Sequence, residues 1–265
     1  MCPLRLSLRP LVMSLLLFGL VAPTSAQSVE SVVENMKSVQ ADQFKGVDTY
    51  IVETNHYTSY SKKTSKGPPP TFTTETQMKS TGNTAVENLG TPSNAYGPQL
   101  DNLKKRATYE GTETVNGARC HVLKVDTVPS QSANPDAQGI TYYVDANEYL
   151  IARMAIDAQG QGQGQGPSSN DRVVTVNLKN YTTTDGLTLP HRMEIQFDLN
   201  MSEQQRQQMK QMMEKMKNMP EQQRKRMQEM MGGQMDMMKQ MMSDEPLVVE
   251  VQSVSVNAQL PDDVF

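Results

Sequence analysis

The feature that most constrains this fold is a succession of strand-like segments joined by short turn signals between residues 107 and 199. Asn116-Gly117 separates two such segments, and Asp185-Gly186 separates two more. Asn-Gly and Asp-Gly between β-type runs favour two-residue hairpin turns. Hairpins that follow one another so closely predict one antiparallel sheet.

The segment 187–199 shows which kind of sheet this is. Apolar or weakly polar residues alternate there with charged and amide residues: His191, Met193, Ile195, Phe197 and Leu199 against Arg192, Glu194, Gln196 and Asp198. Successive side chains of a strand point to opposite faces. One face of the sheet is therefore expected to be exposed to solvent and the other to be covered.

A further hairpin is predicted in residues 140–156, with its turn at 145–147. The residues expected on its covered face are Ile140, Tyr142, Val144, Leu150, Ala152, Met154 and Ile156. The Gly-Gln run that follows, residues 160–171, is too polar and too rich in glycine to pack, and predicts a flexible hairpin loop.

Before the hairpins, valine and methionine spacing over 28–45 predicts an amphipathic helix, with Ser28 at its start and Gly46 after its end. A strand-like stretch follows in which Tyr50 and Val52 share a face. The stretch 61–70 predicts a surface loop, 71–81 a second strand, and 91–101 a loop.

Residues 1–26 have the pattern of a cleaved secretory signal peptide. Arg5 and Arg9 precede an apolar run of 11 residues, which is too short to span a bilayer, and small residues end the segment. We expect a periplasmic protein beginning near Gln27. Its formal charge would move from −4 to −6, because the segment holds two arginines and no acid. Cys120 would be its only cysteine, and its apolar neighbours predict a buried, inert thiol.

The composition and motifs argue against several classes of function. A net negative chain of 265 residues has no basic excess with which to bind nucleic acid. The three histidines fall in three separate strand-like stretches, and no nucleophile-elbow, zinc-protease or phosphate-loop motif is present. We therefore expect no enzyme activity, no catalytic residues, no cofactor and no metal site.

The methionines are concentrated in one insertion, residues 201–243, which holds 14 of the 20. The segment 200–213 aligns with 218–231 at an offset of 18 residues, which is five helical turns. Both copies therefore present the same face, and predict helices with one methionine stripe. The stripe consists of Met209, Met212, Met213, Met216, Met227, Met230 and Met231.

Three interpretations of this stripe remain open. It could pack on the sheet as ordinary core. It could form a pliable cover over an apolar ligand, because thioether chains repack around acyl groups of varied shape. It could also capture a soft metal such as Cu(I), although the insertion contains no histidine or cysteine.

Four segments carry a resemblance to a known family: 117–122, 143–151, 185–193 and 257–265. Their order, a Gly-x-x-Cys strand, a Val-Asp hairpin, an Asp-Gly hairpin and an ending VNAQLPDDVF, resembles the outer-membrane lipoprotein-sorting proteins related to the carriers LolA and LolB. The resemblance spans residues 28–200 and 245–265. The arginine that closes the LolA cavity has no match here, and the methionine-rich insertion is no part of the family core.

The resemblance implies an α+β fold: a half-open antiparallel β-barrel with helices covering its concave apolar face. It implies one carrier domain over 27–265, with the helical insertion before the last strand. Its ligands would be acyl chains of lipoproteins or lipids, sorted towards the outer membrane, with membrane-bound donor and acceptor proteins as partners. We expect a monomer that binds no nucleic acid.

The residues expected to line the apolar concavity are Tyr50, Val52, Tyr142, Val144, Met154, Ile156, Met193, Ile195 and Phe197, with the methionine stripe as their cover. Two alternatives for function remain: a methionine-rich periplasmic copper-binding protein, and an accessory domain that binds a partner protein through the same fold.

Overall fold

A computed structural model describes residues 27–65, 67, 69–79, 100–126, 137–159, 171–199 and 245–265, and seven helical positions between 203 and 215. The predicted signal peptide, residues 160–170 of the Gly-Gln run and the whole methionine stripe lie outside the described residues.

Besides the helical positions between 203 and 215, the described chain forms two helices and ten strands. The helices are α1 (Val29–Gln43) and α2 (Leu100–Arg106). The strands are β1 (Thr49–Thr54), β2 (Tyr57–Lys63), β3 (Phe72–Met78), β4 (Thr108–Val115), β5 (Ala118–Val125), β6 (Ala137–Asp145), β7 (Ile151–Gln159), β8 (Asp171–Thr184), β9 (Leu187–Leu199) and β10 (Leu247–Val256).

All ten strands belong to one open sheet in the order β3-β2-β1-β10-β9-β8-β7-β6-β5-β4. All nine pairs of neighbouring strands are antiparallel, and eight of them join strands that are consecutive in sequence. The exception is the pairing of β1 with β10, which joins β1–β3 to β4–β10. This sheet with two helices confirms the coarse α+β prediction of an open antiparallel barrel.

Both predicted two-residue turns are present. Asn116 and Gly117 have φ of 51° and 86°, and Asp185 and Gly186 have φ of 48° and 85°. Positive φ at both central residues is the requirement of a type I′ turn, whose twist matches that of the flanking strands. The turns fix the register of β4 with β5 and of β8 with β9.

The helix α1 begins at a capping box in which Ser28 and Ser31 each accept a hydrogen bond from the other's backbone N–H. Its buried side chains Val32, Val33 and Met36 pack in the main core cluster together with residues of the sheet. This gives the sheet an inner face, which carries the helices, and an outer face.

The helix α2 corrects the last two residues of the loop predicted over 91–101, since Leu100 and Asp101 begin this helix; residues 91–99 lie outside the described residues. Leu100 and Leu103 are buried in the same core cluster as α1. Lys37 of α1 lies 2.8 Å from an Asp101 carboxylate oxygen of α2, and Lys104 lies 2.7 Å from Glu34. A seven-residue helix has too short a periodic pattern to be recognised, and these contacts with α1 stabilise it instead.

The core has two clusters. The larger lies between the helices and β5–β10 and includes Leu123, Val144, Met193 and Val249. The smaller consists of Phe44, Val47, Tyr50, Val52, Leu187 and Leu189, with Phe72 packed against it.

The predicted face of the 140–156 hairpin is partly wrong. The register of β6 with β7 shifts between Tyr143 and Val144, so that Val144 pairs with Ile151. Ile151 is buried, whereas Leu150 and Ala152 are only partly buried. A bulge moves the following side chains to the other face, which a strict alternation cannot anticipate.

Candidate ligand-binding face

The nine sheet residues expected to line the concavity all lie in or against the core, but in two groups. Tyr50 and Val52 belong to the smaller cluster. Tyr142, Val144, Met154, Met193 and Ile195 belong to the larger one, and Ile156 and Phe197 pack against it while remaining partly exposed.

One complete row of apolar side chains crosses the inner face. The strand pairings place on it one residue from each of β5 to β10: Leu123, Tyr142, Met154, Val176, Ile195 and Leu247. All six are buried. Six strands therefore contribute to one continuous apolar surface under the helices.

The next row towards the end of β9 is more open to solvent. It contains Ile140, Ile156, Val174 and Phe197, which pair in that order across β6 to β9. Ile140, Ile156 and Phe197 are partly exposed, whereas Met193, four residues earlier on β9, is completely buried. We call these four residues the apolar rim. The inner face thus reaches solvent at this end of the sheet.

The surroundings of Tyr142 are strongly apolar. Burial raises the pKa of its phenol to about 12, because an ionised phenolate would lose its hydration there. Tyr50, in the smaller cluster, also has a raised pKa through burial, partly offset by hydrogen bonds to Ser61 and Thr74. Neither group carries charge near neutral pH, as an acyl-binding surface requires.

The inner face of β2 and β3 carries hydroxyl groups that the sequence analysis missed. Ser59 pairs with Thr76, and Ser61 pairs with Thr74, on the inward-facing positions of the two strands. Ser61 Oγ lies 2.8 Å from Thr74 Oγ1. The signal was present in the alternation of Tyr57, Ser59 and Ser61, where polar residues occupy positions that the pattern assigns to the covered face.

The described histidines do not form a common site. His56 lies in the turn between β1 and β2, not in a strand as its sequence context indicated, and its Nε2 lies 3.1 Å from the Val248 carbonyl oxygen. His121 is buried on β5 beside Tyr109, whose hydroxyl lies 3.2 Å from His121 Nδ1. Burial lowers the pKa of His121, which favours the neutral imidazole.

Cys120 is buried, as predicted, and burial raises the pKa of its thiol, so that the reactive thiolate is disfavoured.

The outer face of β8–β10 carries a network of ion pairs. Glu194 accepts hydrogen bonds from Lys179 at 2.6 Å and from Arg192 at 2.9 Å, and Arg192 also contacts Glu250 at 2.6 Å. These cations lower the pKa of Glu194, the Lys179 hydrogen bond being the main cause. The charged outer face contrasts with the apolar inner face of the same strands.

The predicted cover residues Met209, Met212, Met213, Met216, Met227, Met230 and Met231 all lie outside the described residues. The seven described positions between 203 and 215 are Glu, Gln and Lys residues in helical conformation, and all are exposed. They belong to the polar face that the repeat predicts for its first helix.

Two further observations concern the described residues only. None of their helices is long and apolar enough to cross a membrane. No group of three or more His, Cys, Asp or Glu side chains among them is arranged to hold a metal ion.

No family model matches the sequence, and no curated protein matches it. The solved structures similar to this chain include a domain named for outer membrane lipoprotein sorting from Vibrio parahaemolyticus, with 9% identity over 89% of this chain and 96% of that one, and a TM-score of 0.40. They also include a LolA superfamily protein from Nitrosomonas europaea, with 11% identity over 91% and 98% of the two chains and a TM-score of 0.39.

A DUF1329 family protein from Desulfovibrio piger has 10% identity over 89% and 96% of the two chains, and a TM-score of 0.43. The names of the first two structures are those of the proteins that the sequence motifs resemble.

Proposed function

We propose that this protein binds acyl chains on the inner face of its sheet and acts as a periplasmic carrier of lipids or acylated proteins. The observation that supports the proposal most is the apolar row across β5–β10, continued by an apolar rim that is partly open to solvent. A surface that only closed a core would not need partly exposed Ile140, Ile156 and Phe197 at one end.

The energy available from such a surface is sufficient for binding. Burial of a methylene contributes about 0.8 kcal/mol, so one long acyl chain supplies on the order of 10 kcal/mol before ordering costs. The charged residues of the outer face keep the loaded carrier hydrated on its other side.

The finer identity of the cargo is also a proposal. The motif resemblance favours lipoproteins on their way to the outer membrane, exchanged with membrane-bound donor and acceptor proteins by a monomeric carrier. The signal-peptide pattern of residues 1–26 supports export to the periplasm. In this proposal the methionine stripe of the 201–243 insertion covers the chain.

Native mass spectrometry of the protein purified without detergent tests acyl binding. We expect a bound lipid whose mass disappears after organic extraction, and a lower lipid occupancy when residues 201–242 are deleted. A protein that carries no lipid and takes up none from lipid vesicles, with or without the deletion, would contradict the proposal.

Phe197→Glu provides a variant within the described residues, since a carboxylate at the apolar rim must lose hydration when a chain packs on it. Its matched control is Asp198→Glu, the next residue of β9, which is exposed on the other face. We expect Phe197→Glu to lower lipid occupancy and Asp198→Glu to leave it unchanged.

A further inference from the structure

Two hydroxyl groups on the inner face lack a hydrogen-bonding partner. Ser59 is 3% exposed, and its Oγ atom is buried without a hydrogen bond to any described residue. The Oγ1 atom of Thr76, which is the register partner of Ser59 on β3, is likewise buried and unbonded within the described part of the chain. Both atoms therefore lie on one row of the sheet.

Three neighbouring hydroxyls, by contrast, have hydrogen-bonding partners. Ser61 and Thr74, on the adjacent row, bond to each other. Thr54 Oγ1 accepts hydrogen bonds from the backbone N–H groups of His56 and Tyr57. The Ser59–Thr76 row alone among these carries donors that the described residues leave unused.

An unused buried hydroxyl is costly, since it loses its hydration without replacing it. Two unused hydroxyls side by side require a physical explanation, and an acceptor oxygen of a bound ligand would provide one. The row lies between the Tyr57–Met78 pair, which packs with the larger cluster, and the bonded Ser61–Thr74 pair, which lies beside Tyr50 of the smaller cluster. A polar group held there would have apolar surface on one side and bonded hydroxyls on the other.

The chemistry of the row selects the kind of group. Two hydroxyls donate hydrogen bonds but provide no positive charge, so they suit a neutral acceptor better than a carboxylate or a phosphate. In an acylated ligand the neutral acceptor is the carbonyl oxygen that links the chain to the rest of the molecule.

We propose that Ser59 and Thr76 form a subsite that donates hydrogen bonds to the ester carbonyl oxygen of an acylated ligand. This inference rests on the proposed acyl binding and names the ligand class more narrowly: ester-linked acyl chains are preferred to chains without a carbonyl.

A matched pair of probes tests the subsite: 1-palmitoylglycerol, which has the carbonyl, and 1-O-hexadecylglycerol, which has the same chain length and headgroup without it. Their affinities are measured by displacement of a fluorescent fatty acyl probe. A neutral hydrogen bond corresponds to a factor of about 2 to 10 in affinity, so two such bonds should give the wild type a preference for the ester of about 4-fold to 100-fold.

The Ser59→Ala, Thr76→Val double variant should bind both probes with equal affinity, and its affinity for the ether should match that of the wild type. Thr73→Val, on the exposed face of β3, is the control and should keep the preference for the ester. If the double variant folds poorly, Ser59→Ala alone provides the same test. It removes one of the two hydrogen bonds and should lower the preference for the ester without abolishing it.

The lipid-free protein gives a second measurement. Removal of an unused hydroxyl should raise the melting temperature of Ser59→Ala, whereas loss of a bound structural water would lower it. Equal affinity of the wild type for ester and ether would overturn the subsite and leave acyl binding intact. Failure of the wild type to bind either probe would overturn acyl binding itself.

Discussion

Met193 and Phe197 lie on the same face of β9, four residues apart, and their truncation should affect stability and ligand binding in opposite order. Met193 is completely buried between the sheet and the helices, whereas Phe197 lies in the apolar rim and is partly exposed. Met193→Ala should lower the free energy of unfolding by about 2–5 kcal/mol, because the surrounding side chains can fill only part of the cavity that it leaves. Phe197→Ala should cost about half as much, because water already reaches part of the ring.

Ligand binding should show the reverse order. If Phe197 covers the equivalent of two methylenes of an acyl chain, its loss removes about 1.6 kcal/mol of binding, which is about a 15-fold weaker affinity. Met193 is covered by protein, so Met193→Ala should change the affinity by less than threefold at temperatures where it is folded.

Urea unfolding followed by circular dichroism gives the stabilities, and titration with 1-palmitoylglycerol gives the affinities. The reasoning fails if Phe197→Ala leaves the affinity unchanged, or if Met193→Ala is the variant that weakens binding. Either result would mean that the acyl chain does not pack on the apolar rim.

Three further predictions concern stability. Burial raises the pKa of Tyr142 to about 12, whereas a tyrosine in the unfolded chain ionises near pH 10. The unfolded state therefore loses this proton first as the pH rises. The free energy of unfolding should fall by up to about 3 kcal/mol between pH 10 and 12. Tyr142→Phe should remove most of this fall in alkaline melting curves, and an unchanged slope would refute the assignment. Gly117→Ala places a side chain at φ of 86° and should lower the free energy of unfolding by about 1 kcal/mol or more, whereas Gly67→Ala, at an ordinary φ, should not. Lys37 lowers the pKa of Asp101, chiefly through their hydrogen bond. The stability that this ion pair provides should therefore be lost as the pH falls below about 4 and Asp101 takes up a proton. The melting temperatures of Asp101→Asn and the wild type should differ at pH 7 and converge at low pH.

The hairpins were predictable because their information is local. Asn116-Gly117 and Asp185-Gly186 require only the preference of these residues for positive φ, and the alternation of β9 requires only the two-residue period of a strand. Most of the proposed binding face followed from that alternation, including Met193, Ile195 and Phe197.

What could not be predicted depends on contacts between distant segments. No local pattern places β10 between β1 and β9, where Leu247 pairs with Ile195 across a separation that includes the whole insertion. The helix α2 depends on its packing and ion pairs with α1, and the bulge at Val144 depends on the neighbouring strand. The unused hydroxyl of Ser59 becomes apparent only when the partner strand shows which acceptors are absent.

The central claim is that the inner face binds an acyl chain. The most direct measurement is native mass spectrometry of the intact protein after incubation with vesicles that contain 1-palmitoylglycerol. The proposal predicts a stoichiometric adduct of that mass in the wild type and a reduced adduct in Phe197→Glu. A wild-type spectrum without any lipid adduct, from a sample shown by circular dichroism to be folded, would contradict it.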